Sequence, residues 1–306
     1  MNTTRYTLKT ITPLFLRGPD GETPELRPPS FKGMLRYWWR ALHPMPVDRL
    51  REAEAERFGS GGDAEGGQSP IRLRLDHSGL SEDRYKPVPR AGKNFRNRGF
   101  KPGEEFDLVV TVGPRALGRQ EEIDATLRLM LLLGGVGNRS RRGFGSLRLI
   151  AVNGVQREVP EDPLEDVETH LGRLETPFDR DGRTLSYVGK HLPAGQRSRV
   201  EQHSHGREHD GQDVPEYPWV RRIETGTFWN GWQEAVQSIA KASHRHDSSY
   251  TGDIGPRLSS PVYVSVGADD RWCWPLVTSL HLPSSTERKI GKRESDTRPE
   301  FREALL

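Results

Sequence analysis

Over the first 150 residues the apolar spacing switches between two and about four in the order strand, helix, strand, strand, helix, strand, and few folds accept that order. Thr4 to Ile11 sets Tyr6 and Leu8 against Thr7 and Lys9, the alternation of a half-buried strand. Pro28-Pro29-Ser30 opens a helix with Ser30 placed at the N-cap. Phe31, Leu35, Trp38 and Leu42 form its buried stripe, and it stops by Pro44. Asp48 to Arg57 reads as a second short helix. Ile71 to Leu75 and Phe106 to Val112 read as strands, Ile123 to Leu133 as a helix closed by Gly134, and Ser146 to Val152 as a fourth strand. A chain so ordered predicts a split βαβ, ferredoxin-like domain: an antiparallel sheet with helices on one face.

At about 100–200 residues per domain, the 306-residue length leaves room for a second unit. Residues 155–215 are rich in Pro, Gly, acids and histidines and read as linker or insertion, dividing a domain at 1–154 from a second at 216–306. In the latter, Phe228 to Ala242 is expected to be a helix, and Pro261 to Val266 and Arg271 to Leu280 strands. Glu287 to Leu306 reads as a terminal extension or helix. The formal charge of +3 hides an asymmetry: residues 1–150 carry 26 basic against 18 acidic residues, leaving 20 against 25 in the remainder. Such a division suggests a nucleic-acid or membrane face on one half, with an opposite-signed or solvated remainder. The longest apolar run, Leu129 to Leu133, is too short to span a bilayer, and the N-terminus has no signal-peptide core, so a soluble cytoplasmic protein is expected. The single cysteine, Cys273, excludes an intrachain disulfide and a multi-cysteine zinc site.

Three basic segments stand out. Lys32, Arg36 and Arg40 recur every fourth residue on the first helix. Residues 84–101 hold Arg90, Lys93, Arg96 and Arg98 among further basic residues with no acid, interleaved with Tyr85, Phe95 and Phe100 as in single-strand binders. Gly134 to Ser146 combines glycines, which let a backbone approach a phosphate closely, with the forked donors of Arg139, Arg141 and Arg142. This loop lacks the lysine of a P-loop, and it follows a helix and enters a strand, the reverse of a dinucleotide fingerprint. Arg142-Gly-Phe-Gly145 imitates the opening of an RRM signature, but Ser146 and Leu149 stand where stacking aromatics belong, so RNA contact here is expected at the backbone. His203, His205 and His209 with Asp210 and Asp213 have metal-ligand chemistry but no periodicity to preorganise a site, and no metal or other cofactor is expected.

Pro28-Pro29-Ser30-Phe31-Lys32-Gly33-Met34-Leu35-Arg36 resembles the P-x-S-x-K-G-x-x-R helix of the RAMP (repeat-associated mysterious protein) superfamily of CRISPR effector subunits. With Trp38-Trp39-Arg40, the preceding Thr12-Pro13-Leu14-Phe15 and the following Phe58-Gly59-Ser60, it is similar to the first subunit of the type III-B (Cmr) complex. The glycine-rich loop resembles the superfamily hallmark, and Arg257-Leu258-Ser259-Ser260-Pro261 a segment of its second domain. The resemblance implies an α+β chain of two ferredoxin-like domains in tandem. It further implies a non-catalytic subunit of an antiviral ribonucleoprotein, contacting guide RNA (crRNA) and single-stranded target RNA near the guide 3′ end beside other complex subunits, with no membrane partner. By position, Lys32, Arg36, Arg40, Asn138, Arg139, Arg141 and Arg142 would face RNA. Two alternatives stand beside it: a guide-processing endoribonuclease with His43 as acid or base, and a protein-only scaffold.

Overall fold

The computed structural model describes residues 1–60, 67–87, 95–189, 215, 217–246, 260–283 and 296–306, together with the backbone of 253–254 and 257–258. Its first half holds β1 (Asn2–Thr10), α1 (Pro28–Leu42), α2 (Val47–Phe58), β2 (Ile71–Asp76), β3 (Glu82–Tyr85), β4 (Asn97–Phe100), β5 (Glu105–Val112), α3 (Gln120–Leu133), β6 (Leu147–Val152) and β7 (Val155–Gln156). The second holds α4 (Glu165–Arg173), β8 (Phe178–Asp181), β9 (Thr184–Tyr187), β10 (Val220–Thr225), α5 (Trp232–Arg245), β11 (Asp253–Ile254), β12 (Arg257–Leu258), β13 (Val262–Ala268), β14 (Cys273–Leu280) and α6 (Arg298–Glu303).

Two five-stranded antiparallel sheets result, beside the two-stranded pairs β3–β4 and β11–β12. The first has the order β2-β5-β1-β6-β7, the arrangement a split βαβ chain produces once the edge hairpin β7 is set aside. The second has the order β13-β14-β10-β9-β8. Residues 155–215 are therefore not only a connection: α4 buries Val167 and Leu171, and β8 and β9 extend the second sheet. β8 and β9 are four residues each, too short a pattern to read in advance, although Thr184 to Tyr187 does alternate.

Three boundaries move for physical reasons. Pro28 and Pro29 occupy the first turn of α1, where proline's fixed φ and missing N–H cost nothing, so Arg27 and not Ser30 is the N-cap. Phe228 lies before its helix because Trp229 pairs with Cys273 in an isolated bridge, and α5 starts only after Gly231. The stretch 84–101, read as a continuous basic segment, folds its ends into the antiparallel arm β3–β4.

One hydrophobic core serves both sheets. Tyr6 and Leu8 of β1, Phe31, Leu35 and Trp38 of α1, and Leu127 and Met130 of α3 pack together with Tyr263, Trp274 and Leu276 of the second sheet. β13 and β14 are buried on both faces: Tyr263 points to α1, while Val262, Val264 and Val266 meet Ile239 of α5 and Phe301 of α6. The layers run sheet, helices, sheet, helices.

Candidate nucleic-acid interface

The three basic segments have different fates. On α1, Lys32 donates from Nζ to the Ile71 carbonyl (3.0 Å), and burial holds its pKa below the ordinary lysine value, with neighbouring Arg36 adding to the effect. Arg36 Nε (2.7 Å) and Arg40 Nη1 (2.6 Å) both donate to Oε1 of Glu54. One carboxylate thus orients two half-exposed guanidiniums and leaves the group with a net positive charge. Motif reading passes over Glu54, although a signal exists. It sits midway between Leu50 and Phe58 in the buried stripe of α2, a carboxylate where an apolar residue is expected.

The glycine-rich loop divides in two. Its crest reaches outward: Asn138 and Arg139 are exposed, the Asn138 backbone N–H donates to the Phe15 carbonyl (2.9 Å), and Arg139 takes a left-handed conformation with φ 64°. Its second half turns inward against the second sheet. Gly143 N–H donates to the Val264 carbonyl (2.7 Å), and Ser146 Oγ accepts from Val266 N–H (3.0 Å), which covers the outer edge of β13. At Gly143 (φ 78°) an added Cβ would lie 2.6 Å from Ile239 Cδ1, and at Gly145 (φ 68°) it would strike the Val136 carbonyl. These glycines serve close packing, as the hallmark of a tight turn would.

Arg142 belongs to that inward half. It donates to Ser243 Oγ (3.0 Å), Ser260 Oγ (3.2 Å) and the carbonyls of Val262 (3.1 Å) and Arg141 (2.9 Å), with its guanidinium over the Phe301 ring (5.1 Å). The expectation that it faces a phosphate meets a guanidinium already engaged by protein. Arg141 donates to the Ser260 carbonyl and sits over Tyr263 (4.6 Å) and Tyr37 (5.8 Å), which joins the loop to the exposed side of α1. On that side lies Gly33, around which an added Cβ would meet nothing within 4 Å.

In the arm, Arg98 pairs with Glu82 (2.7 Å), Arg96 donates to the Arg84 carbonyl (3.3 Å), and Phe95 stands 68% exposed. The loop end of the β3–β4 ladder is fixed by Tyr85 between Phe15 (6.5 Å) and Trp232 (5.7 Å). Arg90 and Lys93 lie outside the described residues, as do His203, His205 and His209; among the described residues no cluster of potential metal ligands occurs.

His43, the candidate acid or base, is stacked on Trp39 (4.7 Å) with Nδ1 bonded to the Trp39 carbonyl (2.7 Å). Burial lowers its pKa, against the pull of that carbonyl and of Glu122. Glu122 in turn accepts from Trp39 Nε1 (2.7 Å) and Arg57 Nε (2.6 Å); burial pushes its pKa up, but those bonds hold it below the usual carboxylate range. The group pins α1, α2 and α3 together.

A model of the RAMP superfamily matches residues 7–148, a span that takes in α1, the arm and the whole glycine-rich loop. The match spans a little under half of the chain, and over that span the chain resembles the RAMP superfamily. The chain is 27% identical over 180 residues to a CRISPR system Cmr subunit, Cmr1-2, of Pyrococcus furiosus, covering 47% of the chain and 93% of that protein. In structure it is similar to apo Cmr1 from Pyrococcus furiosus, with a TM-score of 0.59 at 16% identity over 96% of this chain and 97% of that one. It is also similar to a chain of the type III-B Cmr-beta complex bound to cognate target RNA, with a TM-score of 0.57 at 11% identity over 99% of each. The last two likenesses show a shared fold over both halves of the chain. No helix among the described residues is long and apolar enough to cross a membrane.

Proposed function

We propose that this chain is a non-catalytic, RNA-binding subunit of a type III-B CRISPR ribonucleoprotein, contacting guide RNA and single-stranded target RNA in antiviral defence within a prokaryotic cytoplasm. The relatives named above support the assembly. The observation that carries the RNA contact is the junction of the exposed side of α1 with the crest of the glycine-rich loop, made by Arg141 over Tyr37 (5.8 Å). Along this junction lie the paired Arg36 and Arg40, the open Gly33, and Asn138 and Arg139. Backbone contact suits such a surface, because arginines and exposed amides recognise phosphate without reading bases. Both halves read as ferredoxin-like units in tandem, since β10, α5, β13 and β14 repeat the connection and strand order of β1, α1, β2 and β5.

The non-catalytic part of the reading is supported at His43, whose ring is committed to Trp39 and screened from solvent by its packing. Titrating fluorescent single-stranded RNA at several salt concentrations tests the interface. Replacing Asn138 and Arg139 by Ala should weaken binding and flatten the plot of log K against log salt by about 0.7 for each phosphate no longer neutralised. Unchanged affinity and slope would remove the crest from the RNA path. Incubation with repeat RNA, with and without EDTA, tests the catalytic alternative: metal-independent cleavage abolished by His43→Ala would overturn the non-catalytic assignment.

A further inference from the structure

Arg36 and Arg40 stand four residues apart on α1, yet both bond one atom. Arg36 gives its Nε (2.7 Å) and Arg40 its Nη1 (2.6 Å) to Oε1 of Glu54, so the two guanidiniums converge, where like charges on successive turns would otherwise repel. The carboxylate that gathers them is shut away from water. Glu54 is only 9% exposed and lies between Leu50 and Phe58 in the buried stripe of α2, and the Arg36 guanidinium sits over the Phe58 ring (5.9 Å). Burying a carboxylate is unfavourable unless it is paired, so Glu54 keeps this place only with the guanidiniums drawn onto it.

The outer ends of the two arginines stay open. Their side chains are 39% and 35% exposed, and neither guanidinium has a second hydrogen-bond partner among the described residues. Bonded through Nε, Arg36 keeps both of its terminal nitrogens, and Arg40 keeps Nη2. Lys32, the third cation of the stripe, takes no part, because its Nζ donates to the Ile71 carbonyl at the edge strand β2. Gly33, three residues before Arg36, adds no side chain to crowd what approaches.

We infer that Arg36 and Arg40 act as one clamp on a single phosphate of the RNA backbone, with Glu54 as the residue that positions it. The inference rests on RNA running along α1, as proposed above, and goes beyond that reading in the count: α1 neutralises one phosphate, where its sequence offers three cations. Charge and geometry agree on one. Two guanidiniums on one carboxylate carry a single net positive charge, the complement of one phosphodiester, and converging forked donors match the oxygens of one phosphate. Two phosphates drawn as close together as these guanidiniums would repel each other.

Salt titrations of fluorescent single-stranded RNA with the full chain count the phosphates and isolate the carboxylate. The double variant Arg36→Ala/Arg40→Ala should flatten the plot of log K against log salt by about 0.7, the share of one phosphate. Glu54→Leu and Glu54→Gln remove the same charge, but only glutamine keeps an oxygen for the arginines. Glu54→Leu should lose at least about tenfold in affinity, the worth of one charge-assisted hydrogen bond, while Glu54→Gln binds at least as tightly as the unsubstituted chain. Melting curves accompany each variant, and leucine suits the stripe between Leu50 and Phe58. A loss of about 1.4 in slope by the double variant, two phosphates' worth, would overturn the clamp. So would tighter binding by both Glu54 variants, the mark of charge without positioning, or a lowered melting temperature in Glu54→Leu with affinity intact, the mark of a purely structural carboxylate. A double variant unchanged in both affinity and slope takes RNA off α1, and the proposed interface then falls together with the clamp.

Discussion

Gly33 gives the sharpest residue-scale experiment. A glycine within a helix costs about 0.5–1 kcal/mol relative to alanine, and here an added methyl would touch nothing in the protein. Gly33→Ala should therefore raise stability in urea by roughly that amount. If RNA backbone runs along α1, the same change should weaken RNA binding, because the space it fills is where the phosphates approach. Stabilisation with undiminished binding would place the RNA elsewhere. A pH effect belongs to the same scale. Burial first, and then neighbouring arginines, push the pKa values of His170 and His281 down to about 4. The unfolded chain takes up these protons near its ordinary pKa of about 6.5, whereas the folded chain resists until about 4. Stability should be complete above about pH 6.5 and decline as pH falls toward 4, by about 1–3 kcal/mol for each histidine. Urea melts at pH 7.5 and 5 compare the two regimes, and His170→Gln should flatten the difference.

At the scale of single elements the glycine-rich loop separates two roles that its sequence merges. Arg142→Ala should lower the melting temperature by several degrees through loss of partly buried hydrogen bonds of about 1 kcal/mol each, while leaving the salt slope of RNA binding unchanged. Arg139→Ala should do the reverse. The sequence shows three arginines in a glycine-rich loop and nothing to tell them apart, because the partners of Arg142 at Ser243, Ser260 and Val262 lie about a hundred residues away. The same limit explains Arg36 and Arg40, whose stripe is legible on one helix while the carboxylate that orients them belongs to another. By contrast β1, α1, β5, α3 and β6 were readable to within a few residues, because each carries its own apolar period against one core. The arm was not: β3 and β4 are four residues each and pair with each other, with a single bridge from Phe100 to Leu14.

Over the whole molecule, the helices between the sheets belong to both. Tyr37 and Trp38 of α1 lie 5.7 Å and 5.2 Å from Tyr263, and Leu132 of α3 accepts a hydrogen bond from Ser265 Oγ (2.5 Å). The chain should unfold in one cooperative transition, with tryptophan fluorescence and far-UV circular dichroism coincident in urea. A fragment ending at residue 154 should lose that cooperativity and bind a hydrophobic dye. The opposite charges of the two halves fit this layering: the excess positive charge sits with the loop crest, the arm and α1, and the acidic excess with the second half.

The shared helical layer also has a consequence for synthesis. When the ribosome has completed β6, the face of α1 and α3 that will meet the second sheet has no cover, and β13 and β14 are still more than a hundred residues from being made. At about 5–20 residues per second, that surface waits for about ten seconds. During that interval the nascent chain is a client for any chaperone that holds exposed apolar helices, and slow decoding between the halves lengthens its exposure.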